Sequence, residues 1–114
     1  MNESNLNLIQ GTLDILVLKA LIFGPAHGYA VTRWIRDTTD GLLDVEEGAL
    51  YTALHRMERR GWLSAEWGLS ENNRRAKFYA LTEEGRRQLA TGAQTWELYA
   101  EAVFKVLRAA ETAA

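Results

Sequence analysis

The chain has 114 residues, of which 47% are hydrophobic and 25% are charged, a composition typical of one soluble globular domain with a modest core. It contains no cysteine, which excludes disulfide bonds and thiolate metal sites. The longest apolar stretch, residues 15–23, is interrupted by Lys19 and is too short to cross a bilayer, and the N-terminus lacks the pattern of a secretory signal. We therefore predict a cytoplasmic protein that does not enter a membrane.

Charge is distributed unevenly along the chain, although the net charge is only −2. Residues 1–54 carry seven acids against three bases, whereas residues 55–87 carry eight bases against five acids. The remaining residues, 88–114, carry three acids against two bases. A basic segment within an acidic body is typical of a protein that makes specific contacts with nucleic acid, and not of a general DNA coat.

Two helices are predicted in the first third of the chain. Residues 13–23 form the first, with Thr12 as its N-cap and with Gly24 and Pro25 at its end. Apolar residues occupy almost every face of this helix, so we expect it to be buried on more than one side, the second side by another subunit. The second helix, residues 29–38, carries one apolar stripe that faces inward.

The third helix begins near residue 45 or 46 and ends at residues 60–61, where arginine and glycine are typical of a helix C-terminus. Its buried stripe consists of Leu50, Leu54 and Met57. At about 100° per residue, the opposite, outward face is polar. That face carries Thr52, His55 and Arg59, with Arg56 at its edge.

A short antiparallel hairpin follows, with strands over residues 62–68 and 77–81 and the tip Asn-Asn-Arg-Arg at residues 72–75. The order helix, helix, helix, strand, basic tip, strand is that of a winged helix-turn-helix. In such a domain the third helix enters the DNA major groove and the hairpin, called the wing, binds the backbone. We therefore predict a mainly α fold with a small β-hairpin, and a DNA-binding domain over residues 8–81.

The last segment, residues 82–112, is predicted to be one long helix that is capped by Thr82. Apolar residues recur along it at alternating spacings of four and three, which is typical of a helix that packs along a partner helix. We expect this helix to mediate dimerisation by packing on the first helix of a second subunit. The predicted dimer interface consists of Leu13, Leu16, Val17, Leu89, Ala93, Trp96, Ala100, Val103 and Leu107.

Four phrases of the sequence resemble the PadR family of bacterial transcriptional regulators, in its short form with a single C-terminal helix: LDILVLKAL, HGY, EEGALYTALHRMERRGW and NNRRAKFYALTEEG. They lie within residues 8–90, in the order and spacing of the family. The resemblance implies a homodimeric repressor that binds a palindromic operator in double-stranded DNA. It also implies a small aromatic or hydrophobic effector, because some relatives respond to phenolic acids or planar drugs held at the dimer interface. Trp96, in the segment QTWEL, matches an interface aromatic of such relatives.

Ten residues are candidates for DNA contact: Tyr51, Thr52, His55, Arg56 and Arg59 from the third helix, and Asn72, Asn73, Arg74, Arg75 and Lys77 from the wing. Arginine offers two donors to guanine, and threonine and histidine contact base edges or phosphates. The wing cations suit phosphates, and Arg74 also suits the minor groove. The plainer interpretation is a solvated helix face and an edge strand protected by charge. For Tyr51 the two interpretations are balanced, since its ring can pack on the core while its hydroxyl reaches a phosphate.

No catalytic arrangement or glycine-rich phosphate loop is found in the sequence, so we predict no enzyme activity and no cofactor. The two histidines are too far apart to indicate a metal site, and His27 is interpreted as a capping or packing residue. Trp34, Trp62 and Trp67 are interpreted as packing residues, as Trp96 also can be. Two other functions stay open: a winged-helix protein-interaction module without DNA binding, and a carrier of small molecules at the dimer interface.

Overall fold

The computed structural model describes residues 11–111. Its elements in chain order are α1 (Thr12–Ala20) with a 3-10 turn (Leu21–Phe23), β1 (Ala26–His27), α2 (Gly28–Thr38), α3 (Glu47–Arg59), β2 (Leu63–Leu69), β3 (Arg75–Leu81) and α4 (Glu83–Leu107). The three strands form an antiparallel sheet in the order β1-β3-β2. This is the predicted winged helix-turn-helix followed by a long C-terminal helix. Of the predicted domain bounds, residues 8–10 and 112 lie outside the described residues.

The core lies where α1, α2 and α3 meet the base of the hairpin. Its most deeply buried side chains are Val17, Leu18, Leu21, Val31, Ile35, Leu50, Leu54, Met57 and Tyr79. The three residues of the stripe predicted for α3, at positions 50, 54 and 57, are among them, because spacings of four and three place them on one side of a helix. Burial of this apolar surface is what holds the helices against the sheet.

The first helix differs from its prediction at its start and in what covers it. Gly11, with φ 88°, is its N-cap, and Thr12 is already helical. Val17 is fully buried inside its own subunit, and Leu89 of α4 is only 8% exposed there. These two residues are thus already covered within their own chain, where α2, α3 and α4 pack on that side of α1, and their contact with a second subunit stays a prediction. Leu13 and Leu16 are half-buried at the edge of the core.

The hairpin extends well beyond the core. Its two strands pair from Leu63 with Leu81 to Leu69 with Arg75. At the tip the Ser70 amide donates to the Arg74 carbonyl over 2.8 Å, and Asn73 has the left-handed φ of 60° that asparagine tolerates in turns. The residues on one face of β2 change from buried Leu63 at its base to exposed Trp67 and Leu69 at its outer end.

The last helix begins as predicted and then leaves the core. The Thr82 hydroxyl accepts a hydrogen bond from the Gly85 amide over 3.0 Å, which confirms Thr82 as the N-cap. Gly85 packs so closely on the hairpin that a Cβ atom there would lie 2.1 Å from the Trp62 carbonyl oxygen. After Leu89 every residue of α4 is at least partly exposed. In the part of the chain that the structure describes, no helix is long and apolar enough to span a membrane.

Candidate nucleic-acid interface

A groove of about 880 Å³ lies between the wing and the outward faces of α2 and α3; we call it the wing groove. Its cations come from α2 and the wing: Arg33, Arg74, Arg75 and Lys77. Its aromatic lining includes Tyr29, Tyr51, His55 and Trp67. Two acids, Asp37 and Glu71, also line it. The groove thus combines hydrogen-bond donors, flat rings and a positive rim, which is the chemistry that binds a nucleic-acid backbone.

The structure brings four of the five candidate residues of α3 to its outward surface. Tyr51, Thr52, His55 and Arg59 are exposed, and the first and third of them line the wing groove. The rings of Tyr51 and His55 lie 6.4 Å apart between centroids, one helical turn from each other. Together these side chains form a polar strip along α3 that faces away from the core.

Arg56, the fifth candidate, is directed elsewhere. Its guanidinium forms a hydrogen-bonded ion pair with the Asp14 carboxylate of α1, and the two side chains are 33% and 21% exposed. The prediction placed Arg56 at the edge of the outward face, and the structure puts it on the α1 side of that edge. The sequence carries no signal for this pair, because its two residues are 42 positions apart.

The wing tip presents its polar side chains to solvent. Asn72, Asn73, Arg74 and Arg75 are all exposed, and all but Asn73 line the wing groove. The Arg75 guanidinium lies 4.9 Å from the centroid of the Trp67 ring, a cation–π contact that limits how freely this arginine moves. Trp67 itself is 57% exposed, so it is not a core residue, and its packing partner is Arg75 across the hairpin.

Lys77 connects the root of the wing to α3. Its Nζ lies 3.1 Å from Glu58 Oε1, and this hydrogen bond raises the pKa of Lys77 above its ordinary value. The same ammonium lies 5.5 Å from the centroid of the Tyr79 ring, and burial raises the pKa of that phenol. Lys77 is therefore part of an internal contact between β3 and α3, although it also borders the wing groove.

Comparisons with known proteins identify the family that has this arrangement. The Transcriptional regulator PadR-like family matches residues 17–91. The chain belongs to the PadR-like family. A transcriptional regulator from Clostridium thermocellum is 33% identical, with a TM-score of 0.77 over 85% of this chain and 94% of that one. A PadR family regulator from Eggerthella lenta is 34% identical, with a TM-score of 0.73 over 89% of this chain and 86% of that one. One from Clostridium difficile R20291 is 28% identical, with a TM-score of 0.73 over 85% and 99%.

Membership in the PadR-like family confirms the predicted family and its winged-helix fold. It assigns the protein to the DNA-binding transcriptional regulators, and the family consists of regulators and not of enzymes. Within residues 11–111, no group of histidine, aspartate and glutamate side chains has the arrangement of a metal site.

Two exposed residues of α2 belong to the candidate interface but were not among the predicted DNA-contacting residues. Tyr29, which is 62% exposed, and Arg33 both line the wing groove. At about 100° per residue they share one face of α2, opposite the buried Val31 and Ile35, and this spacing is the signal that would have found them. His27 is confirmed as a cap of α2, since its Nδ1 accepts a hydrogen bond from the Ala30 amide over 3.3 Å.

The α4 residues of the predicted dimer interface are partly or largely exposed from Ala93 onwards. Trp96 is 38% exposed, and its indole Nε1 donates a hydrogen bond to the Thr12 hydroxyl of α1 over 3.0 Å. Ala93, Ala100 and Val103 are partly buried, and Leu107 is 73% exposed. Trp96 is thus held at one edge by α1 while its ring stays accessible.

Proposed function

We propose that this PadR-like protein is a homodimeric transcriptional repressor, and that each subunit binds half of a palindromic operator in double-stranded DNA. The observation that carries the proposal is the convergence of exposed α3 side chains and wing cations on one open groove. An α-helix fits the major groove of DNA, and a basic hairpin beside it reaches the adjacent phosphates.

In the proposed complex, α3 contacts base edges and the wing contacts the DNA backbone. Thr52, His55 and Arg59 contact base edges in the major groove, since they are exposed on one side of α3. The Tyr51 hydroxyl binds a phosphate at the border of that surface. The wing tip supplies its phosphate contacts through Asn72, Asn73, Arg74 and Arg75, with Arg74 directed to the minor groove. Arg56 and Lys77 support α3 and the wing through their acidic partners, Asp14 and Glu58.

The proposed dimer uses the exposed stripe of α4. The side of α4 that packs on its own core at Gly85, Leu89 and Gly92 continues past the core as Trp96 and Val103. Leu107 extends this continuation, and exposed apolar residues flank it: Tyr99, Phe104 and Val106. A stripe this long and wide is unfavourable in water, and a second copy of the chain offers both the matching stripe of its α4 and the open edge of its α1 at Leu13 and Leu16. To bind two half-sites in successive major grooves, such a dimer must hold its two α3 helices about 34 Å apart, one turn of DNA.

A planar aromatic or hydrophobic effector is proposed to bind beside Trp96 at the two-fold axis. The half-exposed ring offers one flat wall, and the symmetry-related ring would offer the other. Such a ligand relieves repression if it binds more tightly to a dimer whose α3 helices are wrongly spaced for DNA.

The test is binding to duplexes selected by the protein from a random-sequence library, measured by fluorescence anisotropy with unselected duplex as control. The proposal predicts an inverted repeat, one dimer per duplex in sedimentation, and affinity that falls steeply with salt. Deleting one half-site should reduce affinity strongly. Selection of no sequence at all, even at low salt, would favour the alternative of a protein-interaction module. A single asymmetric site bound by a monomer would contradict the dimer.

A further inference from the structure

We propose that Gly28 is a positioning residue: its missing side chain seats the ring of Tyr51, so that the Tyr51 hydroxyl meets a DNA phosphate. This inference rests on the proposed function, because it assumes that α3 and the wing groove bind DNA. It adds a role for a buried residue of α2 that cannot itself reach the ligand.

Gly28 is the first residue of α2, and the end of the Tyr51 ring lies directly against it. A Cβ atom at Gly28 would lie 2.7 Å from Tyr51 Oη, 2.9 Å from Cζ and 3.1 Å from Cε1. These separations are shorter than van der Waals contact between carbon atoms. The phenol therefore occupies the space that any larger residue at position 28 would need.

The backbone does not require glycine at this position. Four described glycines have a left-handed φ, namely Gly11, Gly24, Gly41 and Gly61, and Gly28 is not one of them. Alanine is more favourable than glycine inside a helix, so glycine here lowers the intrinsic stability of α2. What glycine permits at this point is the close approach of the Tyr51 ring.

The Tyr51 ring has open space on its groove side. Tyr51 is 37% exposed and lines the wing groove, which also borders the buried Tyr79. A methyl group at position 28 would therefore push the phenol outward into the groove. The contacting atoms are the far end of one side chain, so the displacement needs no movement of backbone. A hydroxyl–phosphate hydrogen bond is sensitive to such a shift, because it requires an O···O distance of about 2.5–3.0 Å.

The experiment compares Gly28→Ala, Tyr51→Phe and the double variant, using a duplex selected from a random-sequence library by the wild-type protein. Each single variant is expected to weaken binding about tenfold, the typical effect of losing one hydrogen bond to a charged group. The double variant is expected to bind no more weakly than Tyr51→Phe alone. Selected and unselected duplexes should be affected equally, since phosphates carry no sequence information. The salt dependence should not change, because no cation is removed.

Two controls separate positioning from folding. Thr38→Ala changes the helix propensity of α2 at its other end, outside the wing groove, and should leave affinity unchanged. Thermal unfolding of Gly28→Ala, followed by circular dichroism, should occur at or above the wild-type temperature. The variant Tyr51→Leu lacks the ring, so adding Gly28→Ala to it should not change the affinity for the duplex. This pair of variants tests the contact even if Gly28→Ala alone folds poorly.

The inference is overturned if folded Gly28→Ala binds like the wild type, or if the effects of Gly28→Ala and Tyr51→Phe add. Either result leaves the proposed function standing, because the wild type still selects and binds its duplex. Failure of the wild type to select any duplex overturns the proposed function, and this inference with it.

Discussion

Arg56 of α3 is held by Asp14 of α1, and this ion pair joins the helix proposed to contact DNA to the helix that borders the proposed dimer interface. Both side chains are about two-thirds or more buried, so neither is well solvated if the other is removed. An arginine at the edge of an outward helix face thereby makes a contact inside the protein. The partner, and not the position on the helix, determines where the guanidinium points.

We expect Asp14→Ala and Arg56→Ala each to lower the free energy of unfolding by about 1–2 kcal/mol, because each leaves a largely buried charge without its partner. The double variant should lose less than the sum of the two. Urea denaturation provides the measurement. Asp37→Ala is the matched control, since Asp37 is exposed and lies 3.9 Å from Arg36, a pair that should contribute almost nothing. A loss of discrimination between selected and random DNA in Arg56→Ala would instead make Arg56 a base contact.

Because α3 is proposed to contact bases and the wing to contact phosphates, substitutions in the two elements should affect DNA binding differently. Thr52→Ala should reduce the preference for selected over random duplex about tenfold, because it removes a base contact. Arg75→Ala should weaken binding to both duplexes and lower the slope of log affinity against log salt by about one.

Anisotropy titrations at several salt concentrations distinguish these outcomes. Arg87→Ala is the control for arginine removal, because Arg87 pairs with Glu84 on α4 over 2.7 Å, away from the wing groove. Identical behaviour of Thr52→Ala and Arg75→Ala would contradict the assignment of base and phosphate contacts.

The exposed stripe of α4 predicts a charge-sensitive dimer. Val103→Glu should shift the protein towards monomers, because a carboxylate would be buried in the proposed interface without a partner. Leu98→Glu should leave the dimer intact, since Leu98 lies about 200° around the helix from Trp96. Sedimentation equilibrium gives the dissociation constant of each variant. Equal dimer content in wild type and Val103→Glu would place the interface elsewhere.

The Lys77–Glu58 pair predicts a pH-dependent contribution to stability. The folded state raises the pKa of Lys77 above 10.5 through the hydrogen bond to Glu58, so it binds this proton more tightly than the unfolded state does. The stabilisation is therefore fully present below pH 10.5 and is lost as the pH rises through the folded pKa. Both side chains are about one-third exposed, which limits the effect to about 1 kcal/mol or less.

Urea denaturation of the wild type and Glu58→Gln between about pH 8 and pH 11.5 tests this expectation. The wild type should be the more stable protein at the lower pH, and the difference should shrink as the pH rises above 10.5. Burial is the main cause that raises the pKa of Tyr79 and acts in both proteins, whereas the smaller contribution of the Glu58 charge is present only in the wild type. A difference that stays constant over the range would show that the pair does not account for it.

Most of the secondary structure could be predicted from local signals. The buried stripe of α3 at Leu50 and Leu54 follows from helical spacing, and the cap at Thr82 follows from hydroxyl chemistry next to two glutamates. Strand β1 could not be predicted, because a strand of two residues exists only through its pairing of Ala26 and His27 with β3. Its stability comes from another part of the chain, which no local pattern records.

The sequence by itself determined the order of helices and strands and the concentration of bases in residues 55–87, since both can be read along the chain. It also determined most of the exposed side chains on α3, since these depend on spacing within one helix. Only the tertiary structure decided which of these residues share a site. It turned Arg56 towards Asp14, carried Trp67 beyond the core, and set Gly28 against the Tyr51 ring. The physical reason is that ion pairs, burial and close packing depend on distances between elements, which are set by how the whole core packs.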